Sequence, residues 1–375
     1  MSNHISTNAP FRADVVGSFL RPAALKTARA AFAQGDITHE ELQRVEDKCI
    51  AELIEKQKAA GLHVITDGEF RRSYWHLDFM WGLQGVEHVE LDHGYQFKHE
   101  ETTHGTAVLS GKISGEGHPF VDHFKYVKQF ETEGVVARQT IPAPAQMYAE
   151  LFREDNGKQT LKVYPDQEEL IHDIAKAYRT VINDLYEAGC RNVQLDDCTW
   201  GMVCDKRFWA TMAGSGYDLE GLKETYLRLN NLVLEGHPED LVINTHICRG
   251  NYHSTWAAEG AYDAVAETLF EKEHVNAYYL EYDDERSGGF EPLAHVTPGK
   301  KVVLGLITTK RAELEDKDLI KVRIHEAAKY VSLDRLCLSP QCGFASCEIG
   351  NKLTEEEQWA KIKLVVDIAK EVWGE

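Results

Sequence analysis

The stretch Ala188-Gly189-Cys190-Arg191-Asn192-Val193-Gln194-Leu195-Asp196 decides how the chain is read. A long amphipathic segment, 167–188, ends on a glycine placed to close a helix in the left-handed conformation. A short apolar run then ends on a carboxylate. The same grammar occurs earlier, where Ala60-Gly61 leads through Val64 to Asp67. Helix, glycine, buried strand and acid, repeated in one chain, is the signature of parallel strands covered by helices. In a barrel of such units the acid lands on the rim that carries catalysis.

Working outward, strands are expected at 13–17, 62–67, 134–140, 192–196, 241–246, 275–281, 301–306 and 335–339. Helices are expected at 40–60, 167–188, 219–234, 259–270, 317–330 and 355–373. In the first helix Leu42, Val45, Cys49, Leu53 and Ile54 share one face, and Thr38 with Glu41 has capping-box spacing. Eight strands suit a closed (β/α)8 barrel (TIM barrel) of α/β class. At 375 residues one elaborated domain, 1–375, fits the length. Residues 74–117 break the rhythm. Rich in His, Gly and aromatics, they read as a rim insertion between strands two and three, with a hairpin.

Composition narrows the function. Sixty-one acids against 41 bases give a net charge of −20, which argues against nucleic acid as a partner. No apolar run approaches the ~18 residues of a membrane span, and the polar stretch from Met1 to Arg12 lacks the apolar middle of a signal peptide. A cytoplasmic enzyme is expected. Eight scattered cysteines suit a reducing compartment, each either packed or acting as a ligand. Cys49 and Cys190 read as packing residues.

The strongest local signal is Thr245-His246-Ile247-Cys248. Positions two apart in extended chain face one side, so imidazole and thiolate can meet one ion. Two later strand ends offer partners: Leu280-Glu281 stops on a carboxylate, and Pro340-Gln341-Cys342-Gly343 places a thiol in a turn. One His, two Cys and one Glu suit four-coordinate Zn²⁺. By spacing alone His253, Cys347, Cys198 and Cys204 are rival ligands.

With these landmarks, the chain resembles the cobalamin-independent methionine synthase family, specifically the C-terminal catalytic barrel of that two-barrel enzyme and its stand-alone, methionine synthase II-like members. Gly17-Ser18-Phe19, Asp67-Gly68-Glu69, Gln194-Leu195-Asp196, Thr245-His246-Ile247-Cys248, Leu280-Glu281 and Pro340-Gln341-Cys342-Gly343 follow in the family's order, from about Val15 onward. The resemblance implies zinc ligands at His246, Cys248, Glu281 and Cys342, and homocysteine held by Ser18, Glu69 and Asp196. It implies a 5-methyltetrahydropteroyltriglutamate–homocysteine S-methyltransferase type of reaction in methionine biosynthesis. The segment Gly305-Leu306-Ile307-Thr308-Thr309-Lys310 departs from the family where a His serves the folate leaving group, leaving Lys310 as the nearest ionisable candidate catalytic residue. Arg249-Gly250-Asn251-Tyr252-His253 departs as well. The methyl donor is therefore left open among methyl-folate, a methyl-corrinoid or another small methyl compound. A thiol alkyltransferase with a different thiol or electrophile, and a non-catalytic zinc-binding barrel, are the alternative readings. Association into a homo-oligomer is compatible with the sequence. Tyr74, Trp75, His76, Phe79 and Trp81 are expected in a lid over the rim, with Arg71 and Arg72 either meeting an anionic donor tail or forming salt bridges.

Overall fold

The computed structural model describes residues 9–214 and 218–374, so residues 1–8 of the polar N-terminal stretch lie outside it. Ten strands are present among the described residues: β1 Val64–Ile65, β2 Gln84–Glu90, β3 Gly105–Ser114, β4 Val136–Ala137, β5 Gln139–Pro142, β6 Asn192–Asp197, β7 Val242–Ile247, β8 Ala277–Glu281, β9 Lys301–Ile307 and β10 Leu336–Pro340. Six form one parallel sheet in the order β10-β9-β8-β7-β6-β5, while β1 pairs with β4 and β2 with β3. Parallel neighbours joined through helices define the architecture as parallel α/β. The strands of the six-stranded sheet are almost wholly buried, as expected where both faces are covered.

The assigned ladders do not run continuously round eight strands. The segment expected as a first strand, 13–17, makes only isolated parallel bridges, Ala13 to Leu338 and Ser18 to Gly68. The expected second strand shortens to two residues. The third divides because its backbone changes partner: Arg138 N–H still donates to Ile65 O at 2.9 Å, whereas Gln139 onward pairs with β6. The remaining strands appear within two residues of expectation.

Helices at Leu219–Leu234 and Glu355–Trp373 match their expected spans, and those at His39–Ala59 and Gln167–Glu187 shift by a residue. The Thr38–Glu41 capping box forms in both directions. Gly61 and Gly189 have φ of 90° and 95°, as a helix-closing glycine requires. The helix expected over 259–270 is reduced to a 3-10 turn at Tyr262–Ala264 and a helix at Ala266–Lys272. Its start is held open by tertiary bonds, with Glu259 N–H donating to Asp205 and Gly260 N–H to Arg286 O. The helix expected to reach 330 stops at Ala327. Among the described residues no helix is long and apolar enough to cross a membrane.

Residues 74–117 lie between β1 and β4 and contain a short helix, Leu77–Gly82, and the antiparallel β2–β3 hairpin. The hairpin's tip docks on the segment after β7: Lys98 N–H donates to Trp256 O, and Glu100 pairs with His253 at 2.5 Å.

One buried ion pair ties the opening segment to the sheet. Arg138 donates to both oxygens of Asp14, at 2.8 and 3.1 Å, and to Tyr279 Oη at 2.6 Å, with both charged side chains fully buried. Removing one partner strands the other charge in a low-dielectric interior. Arg138→Met is expected to destabilise the fold by about 3–5 kcal/mol in urea unfolding. The double variant Asp14→Leu/Arg138→Met is expected to recover much of that loss; no recovery would show that the pair does not act as a unit.

Candidate metal and thiol site

Two neighbouring strand ends and the turn after a third strand build the site. His246 lies near the end of β7, Cys248 two residues on, Glu281 at the end of β8, and Cys342 just beyond β10. One ligand atom from each lies within 4.8 Å of the others, and all four residues are buried. His246 Nδ1 faces Tyr279 O at 3.3 Å, an arrangement in which that nitrogen carries the proton. Its Nε2 has no partner in the protein, although fully buried. The Cys248 and Cys342 sulfurs are 3.7 Å apart, and Gly250 N–H donates to Cys248 at 3.3 Å. An orphaned imidazole nitrogen aimed among two thiols and a carboxylate is a donor set that can hold a metal ion.

Glu281 is gripped from behind. Its Oε1 accepts from Arg249 N–H at 3.0 Å and its Oε2 from Arg286 at 2.9 Å. Burial alone would raise its pKa, but the positive charges of Lys310, Arg286 and His246 bring it below the ordinary carboxylate range. Hydrogen bonding among the thiols, together with burial, holds Cys248 and Cys342 well above the ordinary thiol range. A divalent cation reverses that balance by displacing the thiol protons.

The rival ligands separate from this group. His253 is bonded to Glu100 and Cys204 sits beside Arg249, while Cys347, whose backbone pairs with that of Tyr74, lines the same cavity but lies outside the four-residue cluster. Cys198 is nearer: it follows Asp197, whose carbonyl accepts from Cys248 N–H at 2.8 Å, and it lines the same cavity, although it falls outside the four-residue cluster.

Ser18, Glu69 and Asp196 line one cavity of about 860 Å³, together with His246, Cys248 and Cys342. Ser18 Oγ accepts from Ala345 N–H at 3.3 Å, leaving its own proton to donate. Gly343 is required beside it, because a Cβ there would fall 1.8 Å from that oxygen. Glu69 adopts φ 63° in the turn after β1, a strained conformation for a residue with a side chain. Its Oε1 meets Thr140 and Arg72, while its buried Oε2 has no partner. Asp196, bonded to Gln194 at 2.8 Å, stands opposite His246 in the β6–β7 register. Burial first, and then mutual repulsion with Glu69, pushes the Asp196 carboxyl well above its usual range. The unpartnered Oε2 of Glu69, on the same cavity wall as Asp196, is an acceptor open to a positive group.

Lys310 does not line this cavity. Its Nζ donates to Asn251 Oδ1 at 3.0 Å, and Asn251 does line it. Tyr74, Trp75 and His76 reach the cavity wall, the last two stacked at 4.5 Å. Phe79 instead packs on Phe120 and Tyr178, and Trp81 stacks on His88 within the hairpin. Arg71 bridges to Glu46 and Asp47, and Arg72 to Glu69, so both act in ion pairs. Sequence reading passed over Arg286 and Asn251. The available signal was weak: an Arg within the acidic run Asp283-Asp284-Glu285, and an Asn within a departing loop.

Comparison with known proteins places this geometry. The family model described as "Cobalamin-independent synthase, Catalytic domain" matches residues 11–371. The uncharacterized protein YxjH of Bacillus subtilis is 46% identical over 97% of this chain and 95% of its own length. A 5-methyltetrahydropteroyltriglutamate–homocysteine methyltransferase of Corynebacterium glutamicum is 26% identical over 95% of this chain, which spans 43% of that longer protein. A crystal structure from Listeria monocytogenes, described as a candidate vitamin-B12-independent methionine synthase, superposes with a TM-score of 0.78 at 42% identity, covering 98% of this chain and 99% of that one. The B12-independent methionine synthase of Shewanella sp. W3-18-1, solved with selenomethionine, shares the fold with a TM-score of 0.71 at 19% identity, covering 96% and 97%. On this evidence of sequence and shape, the chain belongs to the cobalamin-independent synthase catalytic-domain family.

Proposed function

We propose that this protein is a zinc-dependent S-methyltransferase that methylates homocysteine to give methionine. The observation that carries the reading is the junction of two features: a buried His/Cys/Glu/Cys cluster opens into a cavity whose wall also holds Ser18, Glu69 and Asp196. We further propose one domain over 1–375, in which the bridges at Ala13 and Ser18 complete the circuit of a (β/α)8 barrel.

In this reading His246, Cys248, Glu281 and Cys342 hold zinc, a donor set of suitable softness and number. Bound there, zinc supplies the Lewis acidity that brings a coordinated thiol to its thiolate at neutral pH. Glu69 and Asp196 receive the ammonium of the amino acid, which offsets their repulsion. Ser18 donates its free hydroxyl proton to the substrate carboxylate. Anchoring both ends of the backbone leaves the side-chain thiol to reach the cluster. Glu281 is the donor suited to yield, because Arg286 and Arg249 N–H already satisfy both its oxygens at short range. Lys310 reaches the cavity through Asn251, the route by which it would serve a leaving group.

X-ray absorption at the zinc edge should report two sulfurs without homocysteine and three with it; an unchanged sulfur count would remove thiol activation from the account. Cys342→Ser should cut zinc content sharply while circular dichroism stays native, and full metal occupancy in that variant would refute its place as a ligand. Asp196→Asn should weaken homocysteine binding about tenfold or more, the scale of a charge-assisted hydrogen bond, with zinc retained. Calorimetric affinity equal to that of the parent protein would take Asp196 out of the site.

A further inference from the structure

Cys248 and Cys342 lie on loops 94 residues apart in the chain, yet their sulfurs stand 3.7 Å from each other. Two sulfurs each about 2.3 Å from one tetrahedral Zn²⁺ would be about 3.8 Å apart. The fold itself thus sets a separation that suits the ion, and the hydrogen bonds between the two loops show how. Asn251, three residues after Cys248, is buried and reaches across to the turn that carries Cys342. Its Nδ2 donates to Gly343 O at 2.8 Å and to Ser346 Oγ at 3.1 Å. Its Oδ1 accepts from Lys310 Nζ and from Asn351 Nδ2, both at 3.0 Å.

Every hydrogen-bonding position of this amide is filled, its two donors and its two acceptor sites alike. Turning it over would set its N–H groups against the Lys310 ammonium and the Asn351 amide, so its orientation is fixed. The Cys342 turn is pinned from its other side as well. Thr309 Oγ1 donates to the same Gly343 O at 3.0 Å, Thr309 N–H donates to Gln341 Oε1 at 2.5 Å, and Asn351 donates to Thr309 O at 2.8 Å. Each sulfur also meets a donor from this arrangement. Gly250 N–H donates to Cys248 at 3.3 Å. Ser346 Oγ, which accepts from Asn251, is left to turn its own proton toward Cys342 Sγ at 3.9 Å. Hydrogen bonds behind metal-binding side chains orient them and support their anionic form.

We propose that Asn251 is a positioning residue of the metal centre: by tying the loop after Cys248 to the turn that carries Cys342, it fixes the separation of the two thiols. Lys310 enters as the donor that fixes the Asn251 amide. The assignment rests on the metal-binding part of the reading above. Neither residue belongs to the four-residue cluster, and both act by where they hold the sulfurs. Holding the pair in advance removes an ordering cost that metal binding would otherwise carry. Losing the tether should therefore weaken binding and leave one sulfur poorly placed. Asn251 and Lys310 both fall in segments that depart from the family motifs, 249–253 and 305–310, so the four ligands alone would not reveal the tether.

The test measures zinc affinity by competition with a chromophoric chelator, and the absorption of the Co²⁺-loaded protein, in the full parent chain and its variants. Asn251→Leu keeps the size of the side chain and removes its four hydrogen bonds. It is expected to lose about tenfold to a hundredfold in zinc affinity, the range carried by partners behind metal ligands. Its thiolate-to-Co²⁺ charge-transfer absorption per bound ion should fall, while circular dichroism stays native. Lys310→Met and Ser346→Ala each remove one link and should move both readings the same way by a smaller factor. Absorption per ion equal to the parent's in Asn251→Leu would show the sulfurs placed as before and would overturn the proposal, leaving the zinc reading intact. Should Asn251→Leu not fold, parent-like absorption and affinity in both single-link variants would overturn it equally. If the parent chain binds neither ion, the metal reading fails and the proposal falls with it.

Discussion

Parallel register between β6, β7 and β8 is the constraint on which the site depends. Pairing Asp196 with His246 and His246 with Tyr279 fixes where each strand stops along the sheet. A one-residue slip in any of them would turn its terminal side chain to the opposite face. Asp196 would leave the cavity, or His246 would lose Tyr279 O and the ring orientation that frees Nε2. The ligand cluster therefore depends on ladder hydrogen bonds several residues below it, and on the buried Asp14–Arg138–Tyr279 network in the sheet interior.

Within the cluster, the electrostatics are uneven. The two thiols and the imidazole face one another, whereas Glu281 is turned partly toward positive charge on Arg286 and Lys310. Arg286 is itself surrounded by Glu281, Asp283 and Asp284, so it is a neutralised cation held in place rather than a mobile one. Were a metal ion held by the cluster, Glu281 would meet it as a carboxylate already partnered by Arg286 and Arg249 N–H.

The insertion and the helices beyond the strand ends give the cavity its character. The hairpin anchors across the mouth through Lys98 and Glu100, bringing Phe97 and Tyr95 to the wall. Tyr148, Phe152 and Tyr226 come from helices that pack against each other, not from strands. The His/Cys/Glu/Cys cluster and the aromatic part of the cavity wall are thus built by separate structural layers.

Much of the strand-end chemistry was legible in the chain. His-x-Cys at period two, an acid ending an apolar run, and a thiol in a Pro/Gly turn each depend on local geometry that neighbouring residues dictate. The helix-closing glycines at 61 and 189 and the Thr38 cap are equally local, and the structure has them as read. What the tertiary structure alone decided is long-range. Two of the four rival ligands, His253 and Cys204, are engaged by Glu100 and Arg249, tens of residues or more away, and all four lie outside the cluster. Arg286 was found by its hold on Glu281. The expected helix at 259–270 failed because hydrogen bonds to Asp205 and Arg286 outweighed its periodicity. Local pattern specifies which face a side chain takes on its own strand or helix; only the closed arrangement of those elements brings distant side chains within bonding distance.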